Sequence, residues 1–482
     1  MHPVPPAQVG GAAAARRARR AVSLTLAVAG IALASCSTLP QTKPWAGPVS
    51  ANDLSRHVTV RGQDGPLTAS VQRRALERLA ATAKGDLATY HLRVLAAAQG
   101  DVNLYRDNAA RLLVDGPATF DAMKDAIAGA RHRVLVESYI VDDKGVAQEI
   151  AALLASKAAQ GVSVALLYDA LGSRTTDPAF FDTLRAQGVA VCAFNPVNPV
   201  QRPGYWGINH RNHRKVMVVD SAVAFTGGIN ISQVYSSGSS GRSASGGSAD
   251  ALDNGWRDTQ IELRGPVVTA LAEHFDETWT AQGCRGTLGV APRAKNGRAG
   301  DKIVKILVSD PSQGVNQIYG ALLSAVRAAQ RSVHLTMAYF APGTEMVDAL
   351  VEAARRGVEV ALVLPGLSDF ELVLHAGRSY YEQLLEAGVV IHETDHAIMH
   401  AKTAVIDGVL STVGSSNMDW RSFVDNSELN AIVIDAEFGA AMEDLFHRDR
   451  SVSRLVEAQA WRDRGLRQRL LEWVGRFAER WL

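Results

Sequence analysis

The chain has 482 residues, enough for two large domains with extra segments, and its 47% hydrophobic and 21% charged content is ordinary for a globular protein. A formal charge of +1 excludes a strongly basic nucleic-acid footprint, though not a local patch. No Cys/His cluster has the spacing of a metal module.

Residues 1–35 read as targeting rather than fold. Arg16, Arg17, Arg19 and Arg20 form a basic stretch, and Ala21 to Ser35 is an apolar run ending in small residues. That run is short for a membrane-spanning helix, which needs about 20 residues. Leu33-Ala34-Ser35-Cys36 resembles a bacterial lipobox, which predicts cleavage before Cys36, lipidation of that cysteine and a periplasmic location. Ser37, rather than Asp, after it favours the outer over the inner membrane. Without residues 1–35 the chain keeps 46 Lys and Arg against 49 acids, a net charge of −3 that suits nucleic acid poorly. Cys192 and Cys284 remain; an oxidising compartment would allow a disulfide between them, but nothing in the sequence places them within bridging distance, and two small buried residues are expected.

Residues 36–104 predict a helical lead-in, with helices over 67–84 and 87–99. An α/β rhythm follows. A strand or loop and then a helix fall in 108–130, a strand in 134–141, a helix in 147–160 ended by Gly161, and a buried strand in 162–168. The plan returns as helix 316–330, strand 333–340, helix 345–356, Gly357 and strand 358–364. Domains are expected over 105–286 and 302–450, joined by a linker at 287–301, with an amphipathic helical segment at 451–482. Leu466, Leu470, Trp473, Val474, Phe477 and Trp481 follow helical spacing there, among arginines.

Each half carries one copy of a longer pattern. HRKVMVVDSAVAFTGGIN over 213–230 and HAKTAVIDGVLSTVGSSN over 400–417 share the skeleton His-x-Lys-x4-Asp-x6-Gly-(Gly/Ser)-x-Asn without an insertion. Each opens on a Val/Ile-rich run that reads as a strand, where side chains alternate faces. His213 and Lys215 therefore share a face, as do His400 and Lys402. Asp220 and Asp407 point the other way, which gives them a structural role. The glycine before each Asn is expected to allow a tight turn and close approach to a ligand. Two sets of imidazole, ammonium and carboxamide could then converge on one phosphodiester. One His would attack phosphorus and the other, protonated, would donate to the departing alkoxide. Lys215, Asn230, Lys402 and Asn417 would bind the non-bridging oxygens, with no metal or cofactor required.

The segment after the first copy, 236–249, is almost all Ser and Gly, and a surface insertion or a flap would both fit it. Beyond it, Asp258 precedes an alternating run over 260–263, and Glu428 precedes one over 429–434. A nucleophilic His needs one ring nitrogen held protonated by such a carboxylate. Chain order assigns Asp258 to His213 and Glu428 to His400.

The duplicated skeleton is identified as that of the phospholipase D superfamily, whose HKD motif it matches at every defining position. The runs NHRNHRK at 209–215, GGIN at 227–230, FNP at 194–196, NMDWRSF at 417–423 and AYFAP at 338–342 are similar to bacterial cardiolipin synthases. The resemblance covers about 105–475. It implies two tandem phospholipase D-like α/β domains, each a β-sheet flanked by helices, forming a pseudo-twofold dimer with one active site at the interface. It counts Asp220 and Asp407 in the catalytic set with His213, Lys215, His400 and Lys402, makes His213 the nucleophile and His400 the acid, and implies joining of two phosphatidylglycerols into cardiolipin plus glycerol. The implied partners are a phospholipid and the membrane surface, without nucleic acid or an obligate protein partner. The lipobox-like start and the Ser/Gly insertion depart from those synthases, so a phospholipase D-type hydrolase and a phosphodiesterase of a non-lipid substrate stay open.

Overall fold

A central strand buried along its length anchors each half, Arg133–Ser138 in the first and Ser332–Met337 in the second. Every residue of the first and all but Ser332 of the second are buried, as in strands covered on both faces. In this computed structural model, residues 47–51, 53–196, 209–239, 255–286, 288–292 and 298–481 are described. The lipobox-like stretch with Cys36, and most of the Ser/Gly segment, lie outside them.

The strand order of the first half is Ala190–Phe194, Ser163–Asp169, Arg133–Ser138, Val216–Val219, Val223–Gly227, Thr259–Arg264, Val102–Val114. The second half repeats it with Val390–Thr394, Glu359–Pro365, Ser332–Met337, Lys402–Ile406, Leu410–Gly414, Asn426–Ile434, Lys302–Asp310. In each, the leading three strands are parallel and the rest antiparallel. Helices Val146–Ala159 and Gly343–Arg355 make the crossovers between parallel strands, and Gly161 and Gly357 follow them with φ of 85° and 90°, a left-handed turn that favours glycine. Both halves therefore have the duplicated α/β plan that the sequence implied.

The halves meet where Val102–Val114 pairs with Lys302–Asp310, in register Lys302↔Asn108 and Val304↔Tyr105. One buried cluster draws Leu135, Val218, Ile261 and Leu263 from the first half and Val304, Val405, Leu429 and Ala431 from the second. Burying a side chain of this size stabilises by about 1.5–3 kcal/mol, so the shared core holds the two motifs in fixed register.

Two expectations are corrected. The lead-in is not purely helical: beside helices Ala69–Ala80 and Gly85–Gln99 it contributes strand Val58–Gly62, parallel to Val102–Val114. Cys192 and Cys284 form a disulfide, with Cα atoms 5.7 Å apart. Helix Val267–Ala281 packs across the first half's sheet and delivers Cys284 to the edge strand Ala190–Phe194, a proximity that a separation of 92 residues conceals.

Candidate active site at the junction of the halves

His213 stands three residues before the strand Val216–Val219 and His400 two before Lys402–Ile406, and each is stitched to the opposite half before any side chain is considered. The short strand Arg211–Asn212 runs parallel to the beginning of Asn426–Ile434, and the His213 amide donates to the Ser427 carbonyl at 2.9 Å. Met399 bridges Arg257, and the His400 amide donates to the Arg257 carbonyl at 2.7 Å.

That stitching decides the carboxylate partners. His213 Nδ1 lies 2.9 Å from Glu428 Oε1, and His400 Nδ1 lies 2.6 Å from Asp258 Oδ2. The expected pairing of Asp258 with His213 and Glu428 with His400 is therefore reversed. Chain order misled because each carboxylate strand begins beside the other half's motif. With Nδ1 occupied, Nε2 is left on each ring as the nitrogen able to react.

Lys215 and Lys402 each fold back onto the histidine two residues before them, although residues 213–215 and 400–401 lie outside the strands whose parity was expected to set their faces. Lys215 Nζ donates to the His213 carbonyl at 2.6 Å, and Lys402 Nζ donates to the His400 carbonyl and lies 3.0 Å from His400 Nδ1. The two asparagines differ. Asn230 Oδ1 accepts from the Ile140 amide at 3.1 Å and its Nδ2 donates to the Tyr235 hydroxyl at 3.2 Å, whereas Asn417 Oδ1 is buried without a hydrogen-bond partner.

Asp220 and Asp407 hold backbone. Asp220 accepts from the amides of Arg131, His132 and Arg133, and Asp407 from those of Gln330, Arg331 and Ser332. Both sit at the turn after the motif strand with φ of 53° and 54°. Each clamps the residues that lead into the central strand. Asp407 also bonds His91 Nε2 of the lead-in at 2.8 Å.

The motif glycines make room for a neighbouring strand. A Cβ on Gly228 would lie 2.1 Å from Asp258 Oδ1, and one on Gly414 would lie 2.1 Å from Asn430 Oδ1. Their missing side chains admit the adjoining carboxylate strand. At the place of Gly228 the second half has Ser415, whose hydroxyl donates to Glu428 Oε2 at 2.5 Å.

Sequence reasoning missed the aromatic walls. Tyr139 packs edge-on to His213 at 5.0 Å between centroids, and Trp256, Tyr235 and Tyr339 surround His400 at 5.0, 5.8 and 6.4 Å. Tyr139 and Tyr339 follow equivalent strands of the two halves; nothing in the sequence marked Tyr235.

Burial dominates the electrostatics. It lowers Lys215 to about 7 against the raising effect of Glu428, and Lys402 to about 8 against that of Asp258 and Glu428. It raises Glu428 to about 7, opposed by Lys215. His213 is held well below the ordinary imidazole value by burial and by both lysines, and His400 is also lowered, by burial and Lys402, with Asp258 opposing. Among the described residues no three His, Cys, Asp or Glu side chains group as a metal site. The arrangement offers two imidazole nitrogens and two buried ammonium groups to one small anionic centre, the donor set for displacement at phosphorus.

Comparison with known proteins agrees with this chemistry. The family model described as cardiolipin synthase, PLD-like domain matches residues 123–238 and 322–450, one segment in each half. The chain is 34% identical over 373 residues to the cardiolipin synthase of Geobacillus thermodenitrificans, covering 76% of this chain and 70% of that protein. It is 31% identical over 383 residues to cardiolipin synthase 2 of Bacillus anthracis, covering 78% and 71%. In fold it is similar to the crystal structure of phosphatidylserine synthase from Haemophilus influenzae, at a TM-score of 0.56 and 13% identity, over 77% of this chain and 95% of that one.

Proposed function

Because the chain belongs to the cardiolipin synthase family of phospholipase D-like proteins, we propose that it is a phosphatidyl transferase that joins two phosphatidylglycerols into cardiolipin and glycerol. The observation that carries this reading is the reciprocal pair of histidines, each held at Nδ1 by a carboxylate of the opposite half. In the proposed reaction His213 Nε2 attacks phosphorus, and the P–O bond to glycerol breaks as His400 gives its proton to the departing oxygen. The hydroxyl of a second phosphatidylglycerol then gives its proton to His400 and displaces His213 from phosphorus. His400 is lowered less than His213, because Asp258 beside it opposes the burial, and this supports His400 as the proton carrier. Lys215, Lys402, Asn230 and Asn417 are proposed to hold the non-bridging oxygens, and Asp220 and Asp407 to keep the motifs in shape. Water in place of the second lipid would yield phosphatidate.

The proposal includes domains over 105–286 and 302–450 around a linker at 287–301, after a lead-in from 36. It also includes cleavage before Cys36, lipidation of that residue and a periplasmic site of action, with the outer membrane favoured. The Cys192–Cys284 disulfide suits an oxidising compartment. Metabolic labelling with palmitate should mark the wild type and leave Cys36→Ser unlabelled; equal labelling of both would refute the anchor. Mass spectrometry of lipids after incubation with phosphatidylglycerol vesicles tests the activity: cardiolipin is expected, phosphatidate alone would mean a hydrolase, and neither would refute a phospholipid substrate.

A further inference from the structure

The closing helix Leu466–Ala478, with the turn Glu479–Trp481, is turned inside out relative to an ordinary surface helix. Its buried residues are Glu472, Gly475 and Glu479, while Leu466, Leu470, Trp473, Val474, Phe477 and Trp481 are exposed, Trp473 and Phe477 at 66% each. At 100° per residue the exposed set falls in one stripe and the buried set on the opposite side.

The inward face is firmly held. A Cβ on Gly475 would lie 2.5 Å from the Ala376 amide, so nothing larger fits against helix Glu371–Arg378. Glu479 accepts from the Tyr380 hydroxyl at 2.6 Å and from the Gly343 amide at 3.0 Å, and Glu472 accepts from Arg464 at 3.0 Å. Arg476 lies 3.8 Å from the Tyr380 ring centroid. The apolar stripe is thus displayed by a fixed helix.

Charge selects the occupant. Both acids of the helix and its turn are buried and paired, whereas Arg467, Arg469 and Arg480 are exposed along the edges of the stripe. A second copy docked face to face would oppose these cations, whereas an anionic bilayer surface would neutralise them while burying the aromatics. The surface also adjoins the site. Helix Glu371–Arg378 follows a loop bearing exposed Leu367 and Phe370, and in that loop Asp369 accepts from the hydroxyl of Tyr339, whose ring stands 6.4 Å from His400. Arg480 lies 5.9 Å from the ring of Trp420, in the second motif's downstream run.

We propose that this outward face is a membrane-docking surface whose occupant is the interface of a bilayer containing anionic phospholipid, seating the catalytic mouth on its lipid. The proposal deepens the phospholipid reading, and part of its test needs no turnover. Full-length protein is mixed with vesicles of phosphatidylglycerol and phosphatidylcholine whose acyl chains carry bromine, which quenches tryptophan on contact. Wild type should be quenched, and Trp473→Phe with Trp481→Phe should lose most of that quenching. An amino-terminal anchor would be common to both proteins and leaves the difference intact. Leu470→Glu with Phe477→Glu should lower turnover on vesicles about tenfold or more and keep the rate on phosphatidylglycerol in detergent micelles. Quenching that survives loss of the two tryptophans, or unchanged turnover on vesicles, would overturn the proposal. So would a lipid-free dimer that the Glu variant dissociates, since the face would then belong to a second copy. If wild type turns over phosphatidylglycerol in neither form, the catalytic reading fails and quenching alone decides the surface.

Discussion

Glu428 and His213 are 215 positions apart, yet Glu428 Oε1 lies 2.9 Å from His213 Nδ1. Asp258 and His400 make the reciprocal contact, so each half supplies the carboxylate that orients the other half's imidazole. Neither half orients its own motif histidine by itself.

The crossed pairing makes a spectroscopic prediction. In 15N-labelled protein the Nδ1 proton of His213 should move in Glu428→Gln and stay in place in Asp258→Asn, with the reverse for His400. Each substitution should cost about 10²–10⁴ in kcat, the scale of losing an orienting carboxylate. Same-half pairing would give the opposite pattern of shifts.

The buried lysines set the pH response. Lys215, lowered to about 7 by burial, is protonated below that value and neutral above it, and Lys402 follows at about 8. Binding of a phosphodiester needs the protonated forms, so kcat/KM should fall as pH rises through about 7–8. Because the Glu428 charge raises Lys215, Glu428→Gln should move that limb to lower pH. A limb that stayed put would show that Lys215 does not govern it.

The same burial costs stability. Between about 8 and its ordinary 10.5, Lys402 binds fewer protons folded than unfolded, so its contribution improves with rising pH and is worst below that window. Lys402→Met should abolish turnover while raising the thermal midpoint by roughly 2–5 °C. A lowered midpoint would show that the ammonium is worth more to the Asp258–Glu428 cluster than its burial costs.

Asp220 and Asp407 clamp backbone, so Asp220→Asn and Asp407→Asn should lower stability by about 1–3 kcal/mol, read by urea unfolding. Activity per folded molecule should change little. A loss beyond about tenfold at full folding would return these residues to the chemistry.

The duplicated skeleton singled out His213, Lys215, Asp220, His400, Lys402 and Asp407, and the structural role expected of the two aspartates follows from their place in the turn after each motif strand. Partners that depend on tertiary register were hidden. The exchange of Asp258 and Glu428 follows from the short pairing of Arg211–Asn212 with Asn426–Ser427, a ladder too brief to leave a sequence signature. The Cys192–Cys284 disulfide depends likewise on where one helix crosses the sheet. In the closing helix the periodicity of the apolar residues was legible, but not that Gly475 and the two glutamates would face inward.

The composite phosphodiester site is tested most directly by trapping its intermediate. Enzyme turning over phosphatidylglycerol is quenched in alkali, which preserves phosphohistidine, then digested and mapped by mass spectrometry. A phosphatidyl adduct on the peptide bearing His213, absent from His213→Ala, is expected. An adduct confined to the His400 peptide, or cardiolipin formation undiminished in His213→Ala, would contradict the account.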